Sequence, residues 1–285
     1  MHKLRYRQNS ILLGIFFLFS VGCGENQSIV GPPAPSRKLL DRISREEQEE
    51  PNIKSTKYAL LINGSAETRF FADISVAYQI LLENDFKRED IYILDAEEND
   101  WYWYPIDGMA NQINLFVALN YLKKKATRQD MLFVYVVDHG GKISKKITNE
   151  TATQNISLST LHLVDYSIDQ NEFARYLEGL KTQIAIFIFD MCYSGGFAEE
   201  VGRHNIVAIS GTQADKVGRS RKYDSFVGSF MLAFRNINES DLNSDGKVSI
   251  YEAFEYAKKK HSFTRNKKQV PFIQGNIDPQ QIFLK

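Results

Sequence analysis

Two short stretches carry residue types suited to thiol chemistry. Asp138-His139-Gly140-Gly141 follows the apolar run MLFVYVV (131–137), and Cys192-Tyr193-Ser194-Gly195-Gly196 follows IAIFIFD (184–190) by way of Met191. A thiolate is a nucleophile, an imidazole carries protons near neutral pH, and free backbone amides stabilise an oxyanion. The glycines behind each residue let a substrate backbone come close. Alone, the His-Gly reads as a solvated turn and the cysteine as a small core residue. Together, at the ends of two apolar runs, they read as a nucleophile and its proton carrier.

The rest of the chain must deliver both groups to one place. After Lys57, apolar runs alternate with helical patterns: YALLIN (58–63), FADISVAYQILLEN (71–84), IYILD (91–95), NQINLFVALNYLKKK (111–125), MLFVYVV, NEFARYLEGL (171–180), IAIFIFD and IVAIS (206–210). Runs this apolar, without alternation, are strands buried on both faces, and helices between them imply parallel pairing. The expected fold is α/β, a doubly wound, mostly parallel sheet with helices on both faces. In such a sheet the site lies beyond the carboxyl ends of the strands. The interval between His139 and Cys192 leaves room for one crossover helix, 171–180, so their strands can be neighbours.

With the pattern in place, VVDHGG and FDMCYSGG resemble the His-Gly-Gly strand and the acidic-X-Cys-X-Ser-Gly segment of legumain-like cysteine peptidases. These are relatives of caspases and of the GPI-anchor transamidase subunit. The stretch YALLINGSAETRFFADISVAYQILLENDFKREDIYIL is similar to that family's first strand, helix and strand, so the likeness covers about 57–234. The resemblance implies a caspase-like fold and a cysteine endopeptidase with His139 and Cys192 as its dyad. It also implies an oxyanion hole lined by the amides of Gly140 and Cys192. It carries a specificity-pocket arginine onto Arg69 and a pocket acid onto Asp190, where legumains usually have Glu. A planar guanidinium opposite a carboxylate suits Asn or Asp before the cut. Ser210 is a further pocket candidate, although a strand-end Ser is commonly a turn former. The segment SGTQADKVGRS departs from the family where the pocket's far wall would stand. A transamidase or ligase on the same dyad, and a catalytically silent calcium-binding interaction module, are the alternatives.

Near the C-terminus, DLNSDGKVSIYE (241–252) fits the EF-hand calcium template. Asp241, Asn243 and Asp245 take positions one, three and five, Gly246 the sharp turn, Lys247 its carbonyl, Ser249 position nine and Glu252 position twelve. Helical patterns flank it, FVGSFMLAFRN before and YEAFEYAKKK after. A single loop of this kind suits a structural calcium better than a sensor, and a solvated acidic turn is the plain alternative. No organic cofactor is called for.

The chain's beginning reads as an export signal. Lys3, Arg5 and Arg7 precede the short apolar run ILLGIFFLFSVG, and Ser20-Val21-Gly22-Cys23 resembles a bacterial lipobox. The expected organisation is a signal peptide at 1–22, a lipidated Cys23 opening a flexible tether at 23–56, and the peptidase domain at 57–285. A plain signal peptide and an uncleaved anchor are the other readings. The expected product is an exported lipoprotein, periplasmic or at the cell surface. It would be held in a membrane by its lipid, with Gly24 favouring the outer one, and would act on a peptide or protein. With two cysteines in the chain, lipidation would leave Cys192 as the one thiol. A short helix at 37–49 would put Leu39, Leu40 and Ile43 on one face. Lys plus Arg and Asp plus Glu number 35 each, so nothing in the charge balance points to nucleic acid. The aromatic run Trp101 to Tyr104 is a substrate-contacting loop or an edge-packed cluster. The polar interlude 142–160 is a flap or a cleavage site. His162, His204 and His261 lack metal-ligand spacing and read as structural.

Overall fold

The computed structural model describes residues 33–47, 55–98, 103–148, 153–202 and 205–285. The chain divides into a unit Met1–Pro33 and a compact unit Ala34–Lys285. The export signal, Cys23, Trp101, Tyr102 and His204 lie outside the described residues.

Seven strands form the central sheet. In chain order they are β1 (Lys57–Asn63), β2 (Ile91–Asp95), β3 (Gly108–Met109), β4 (Met131–Val137), β8 (Ile184–Asp190), β9 (Ile206–Ser210) and β10 (Phe272–Gly275). Their spatial order is β10-β9-β8-β4-β1-β2-β3, parallel throughout except for β10, which runs antiparallel to β9. Successive residues of the inner strands feed two separate cores. Phe133, Tyr135 and Val137 of β4 pack on one face, and Leu132, Val134 and Val136 on the other. Ile186 and Ile188 against Ala185, Phe187 and Phe189 repeat this on β8. A strand covered on both sides has no polar face to show, which is why these runs lack alternation.

The first core is closed by α2 (Thr68–Glu83), α6 (Phe226–Ala233) and α8 (Ile250–Lys260), the second by α1 (Arg37–Glu46), α3 (Gln112–Lys125), α4 (Gln170–Tyr176) and α5 (Gly195–Val201). This is the caspase-like arrangement that the resemblance implies. Helix α4 is shorter than the expected 171–180, because the chain turns through Gly179 at φ +82°. Among the described residues no helix is long and apolar enough to cross a membrane.

One expectation needs correction. The segment assigned to the tether contains α1, and α1 is built into the domain. Leu39 and Ile43 are buried, whereas Leu40 is 41% exposed and off that face. The Arg42 guanidinium donates to both carboxylate oxygens of Asp107 at 2.7 and 2.8 Å and lies 3.7 Å over the Tyr92 ring. Glu46 accepts from the hydroxyl of Tyr121 at 2.8 Å and also from Tyr92 and Lys125. The globular unit therefore begins near Ala34, not Lys57. The described residues of the polar interlude 142–160 are strands: β5 (Gly140–Thr148) and β6 (Thr153–His162) run antiparallel, and β7 (Ser167–Asp169) completes a second, three-stranded sheet. Its polar composition reflects a hairpin whose described lysines, Lys142, Lys145 and Lys146, face solvent or lie at its edge.

Candidate active site

Strands β4 and β8 are neighbours in parallel register, with Val137 opposite Asp190. The Asp138 amide still reaches the Asp190 carbonyl at 3.4 Å. His139 and Cys192 each follow these paired positions by two residues, so they leave the same carboxyl edge side by side. Gly140 sits tight against the second segment. A Cβ there would lie 2.4 Å from the Cys192 carbonyl oxygen and 2.8 Å from Met191 Cγ. Any side chain at 140 would push the two segments apart.

Cys192 opens the turn between β8 and α5 and is partly buried. Its Sγ donates to the Gly218 carbonyl at 3.7 Å. The next residue, Tyr193, has φ +62°, a left-handed conformation that costs energy outside glycine and clusters at functional turns. The Tyr193 amide is held by the Lys216 carbonyl at 2.8 Å. Fully buried Ser194 accepts from the Thr212 amide at 3.3 Å. The loop that departs from the family pattern therefore wraps the cysteine turn.

His139 is half-exposed, and its ring stands edge-on to Phe70 at 5.4 Å. Its Nε2 lies 2.5 Å from Oε1 of Glu67, whose Oε2 accepts from Arg69 Nε at 2.8 Å. One carboxylate thus joins the imidazole to the candidate pocket arginine. The hydrogen bond from Arg69 holds the Glu67 carboxyl below its ordinary range; burial opposes it, and the hydrogen bond with His139 adds to the lowering. Sequence reasoning missed Glu67. The available signal was topological: β1 lies beside β4, so the loop leaving β1 arrives over the imidazole.

Arg69, in the first turn of α2, also donates to Ser220 Oγ at 2.7 Å. Asp190 does not meet it in an ion pair among the described residues. Its carboxyl is buried beneath the edge and accepts from the Val227 amide at 3.4 Å. Burial pushes it to about 7, against the Val227 amide and the more distant Arg69 charge. Asp73 of α2 is also buried and takes a 2.6 Å hydrogen bond from Ser225 Oγ. Burial raises it to about 8. Asp138, whose Oδ1 accepts from the His139 amide at 2.6 Å, is likewise raised by burial to about 8. Ser210 is fully buried and donates to the Thr212 carbonyl at 2.9 Å, the turn-forming role its position suggested.

His162, read as structural, lies near His139. It lines a cavity of about 440 Å³ together with His139, Asp138, Gly64 and Ser65. Burial, and secondarily His139, lowers its pKa. His261 is buried and bonds Thr264 Oγ1 at 2.9 Å. A roomier cavity of about 540 Å³ is lined by α4 and the start of β9, at the opposite end of the strands. Trp103 is 86% exposed while Tyr104 is buried, reaching the Asp95 carboxylate at 3.2 Å.

The 241–252 segment joins α7 (Ile237–Ser240) to α8. The helical pattern FVGSFMLAFRN before the loop is realised as α6, and the four-residue α7 follows it into the loop. Asp241 accepts from the amides of Asp245 and Gly246 at 3.2 and 2.9 Å, and Asp245 from that of Lys247 at 2.9 Å. Ser249 and Glu252 form a capping box on α8. Glu252 also accepts from the Leu242 amide at 2.8 Å, which ties the two ends of the loop. The donors are oxygens throughout, the chemistry that suits a hard cation. Among the described residues no three carboxylate, imidazole or thiolate groups converge as a metal site.

The model of the Peptidase C13 family matches residues 119–282. The match takes in the second half of α3, the strands β4 to β10, His139 and Cys192, and begins after Glu67 and Arg69. No characterised protein sequence matches the chain.

Proposed function

Because this chain belongs to the Peptidase C13 family of cysteine peptidases and transamidases, we propose that it is an endopeptidase with Cys192 as nucleophile and His139 as proton carrier. The shared register of β4 and β8 carries this reading, since it brings imidazole and thiol to one edge. The Cys192 proton passes to His139 as Sγ bonds the scissile carbonyl carbon. The amides of Gly140 and Cys192 receive the oxyanion. The C–N bond then breaks, His139 returns the proton to the leaving amine, and water hydrolyses the thioester with His139 as base. Glu67 orients the imidazole through its contact with Nε2. In the free protein the thiol proton points at Gly218 and Glu67 occupies Nε2, so substrate entry must re-partner both.

At the pocket, Arg69 supplies a cation at the rim and Asp190 an acid beneath it, which favours Asn or Asp before the cut. In a transamidase an amine resolves the thioester in place of water, and product analysis with an added amine nucleophile separates the two activities. Calcium held by Asp241, Asn243, Asp245, the Lys247 carbonyl, Ser249 and Glu252 would brace α8 on the sheet. Calorimetric titration of calcium into the protein and Glu252→Gln checks that assignment. Export by the signal peptide at 1–22 and membrane anchoring by lipidation at Cys23 complete the proposal and are read by mass spectrometry of the N-terminal peptide. The central test is labelling by a peptidyl acyloxymethyl ketone. The wild type should label and turn over peptides, and Cys192→Ala and His139→Ala should do neither. A folded wild type that is silent toward both would leave a non-catalytic module.

A further inference from the structure

We propose that Gln269 is a positioning residue of this site: its side-chain amide fastens both ends of the loop 211–219 and thereby sets the wall facing Cys192. Gln269 is 2% exposed. Its Nε2 donates to the Gly211 carbonyl at 2.6 Å, and its Oε1 accepts from the Arg219 amide at 2.6 Å. Between those points the loop touches the cysteine turn three times, through the Thr212 amide on Ser194, the Lys216 carbonyl on the Tyr193 amide and the Gly218 carbonyl on Cys192 Sγ.

The loop has no helix or strand of its own, so something else must hold it. Gly211 begins it against the buried acid, where a Cβ would lie 2.3 Å from Asp190 Oδ1. Gln269 precedes β10, which is paired to β9, so the clamp is mounted on the sheet. The task needs a donor at one end of a planar group and an acceptor at the other. A glutamine has both, an ionised glutamate lacks the donor, and a leucine lacks both. Releasing the clamp lets the wall drift from the thiol, which weakens substrate binding and uncovers Sγ to small reagents.

This inference rests on the peptidase reading for its effect on substrate but not for its effect on the thiol. The test therefore uses the full chain carrying Cys23→Ser, with Gln269→Leu and Gln269→Glu. It reads KM and kcat on peptides and, separately, the alkylation rate of Cys192 by iodoacetamide. Gln269→Leu should raise KM more than it lowers kcat and speed alkylation by about 10-fold or more, the scale set by losing both hydrogen bonds. Gln269→Glu should follow the leucine variant in alkaline buffer and approach the wild type in acid, where its protonated carboxyl again donates to Gly211. A protein that merely lost packing would not recover with protonation. If Gln269→Leu fails to fold, the acid and alkaline rates of Gln269→Glu, each taken relative to the wild type at the same pH, decide alone. Unchanged alkylation in the folded variants overturns the clamp, whatever the turnover. Faster alkylation in a protein without Cys192-dependent turnover leaves the clamp standing and removes the peptidase reading.

Discussion

Replacing Asp73 with Asn should stabilise the protein at neutral pH and leave it nearly unchanged in acid. Asp73 is 4% exposed, its ordinary value is 3.8, and burial, more than the nearby Asp190, raises it to about 8. Between those values the folded protein keeps a proton that the unfolded chain has released, so stability falls as pH rises through that window. At about 1.4 kcal/mol per pH unit, the penalty reaches a ceiling of roughly 4 kcal/mol near pH 7. Local relaxation and water entry reduce it, to about 2–4 kcal/mol. An asparagine carries no such penalty. Its side-chain oxygen can still accept the Ser225 hydroxyl proton, and that hydroxyl oxygen still accepts from the Gly228 amide at 2.9 Å. Urea unfolding of both proteins at about pH 4 and about pH 7.5 isolates the effect from carboxylates that titrate in the opposite direction, such as Glu46 and Asp224. A difference of the same size at both pH values, or no gain near neutrality, would refute the reasoning. Either result would mean that Asp73 is ionised in the folded state.

Three other substitutions probe the site and its support. Glu67→Gln should lower kcat by about 10- to 100-fold with a smaller change in KM, because it withdraws a charge from His139 while preserving shape; steady-state kinetics reads the split, and an unchanged kcat would make the carboxylate a bystander. Gly140→Ala should abolish measurable turnover in a protein that still folds, since its Cβ would lie 2.4 Å from the Cys192 carbonyl oxygen. Turnover within about 10-fold of wild type would show that the oxyanion amides tolerate displacement, contrary to their expected cost on the scale of 100-fold or more. Arg42→Ala should cost about 3–5 kcal/mol by leaving Asp107 buried and unpaired; chemical denaturation checks it, and a loss below about 1 kcal/mol would mean that α1 contributes little to the domain.

What was legible in the chain followed from burial. Unbroken apolar runs at 131–137 and 184–190 admit little but strands covered on both faces, and parallel order then places their carboxyl ends at one edge. What was not legible depended on side chains that meet across long sequence intervals. Nothing local marks Arg42 and Glu46 as residents of the domain; their charged helix reads as solvated until Asp107, Tyr92 and Tyr121 supply its partners. The interlude 142–160 is polar because β5 and β6, paired beside the main sheet, leave most of their described side chains exposed or half-buried. Glu67 looks like an ordinary residue preceding a helix, and only the β1–β4 neighbourhood turns its carboxylate toward the imidazole. The loop after β9 is the sharpest case. Its sequence departs from the family where the pocket wall is expected, yet its contacts with Ser194, Tyr193 and Cys192 run largely through its own backbone amides and carbonyls. Backbone contacts leave side chains free to diverge, provided that the ends of the loop stay fixed. In this chain those ends converge on a buried amide about fifty residues further along, a separation over which no sequence periodicity operates.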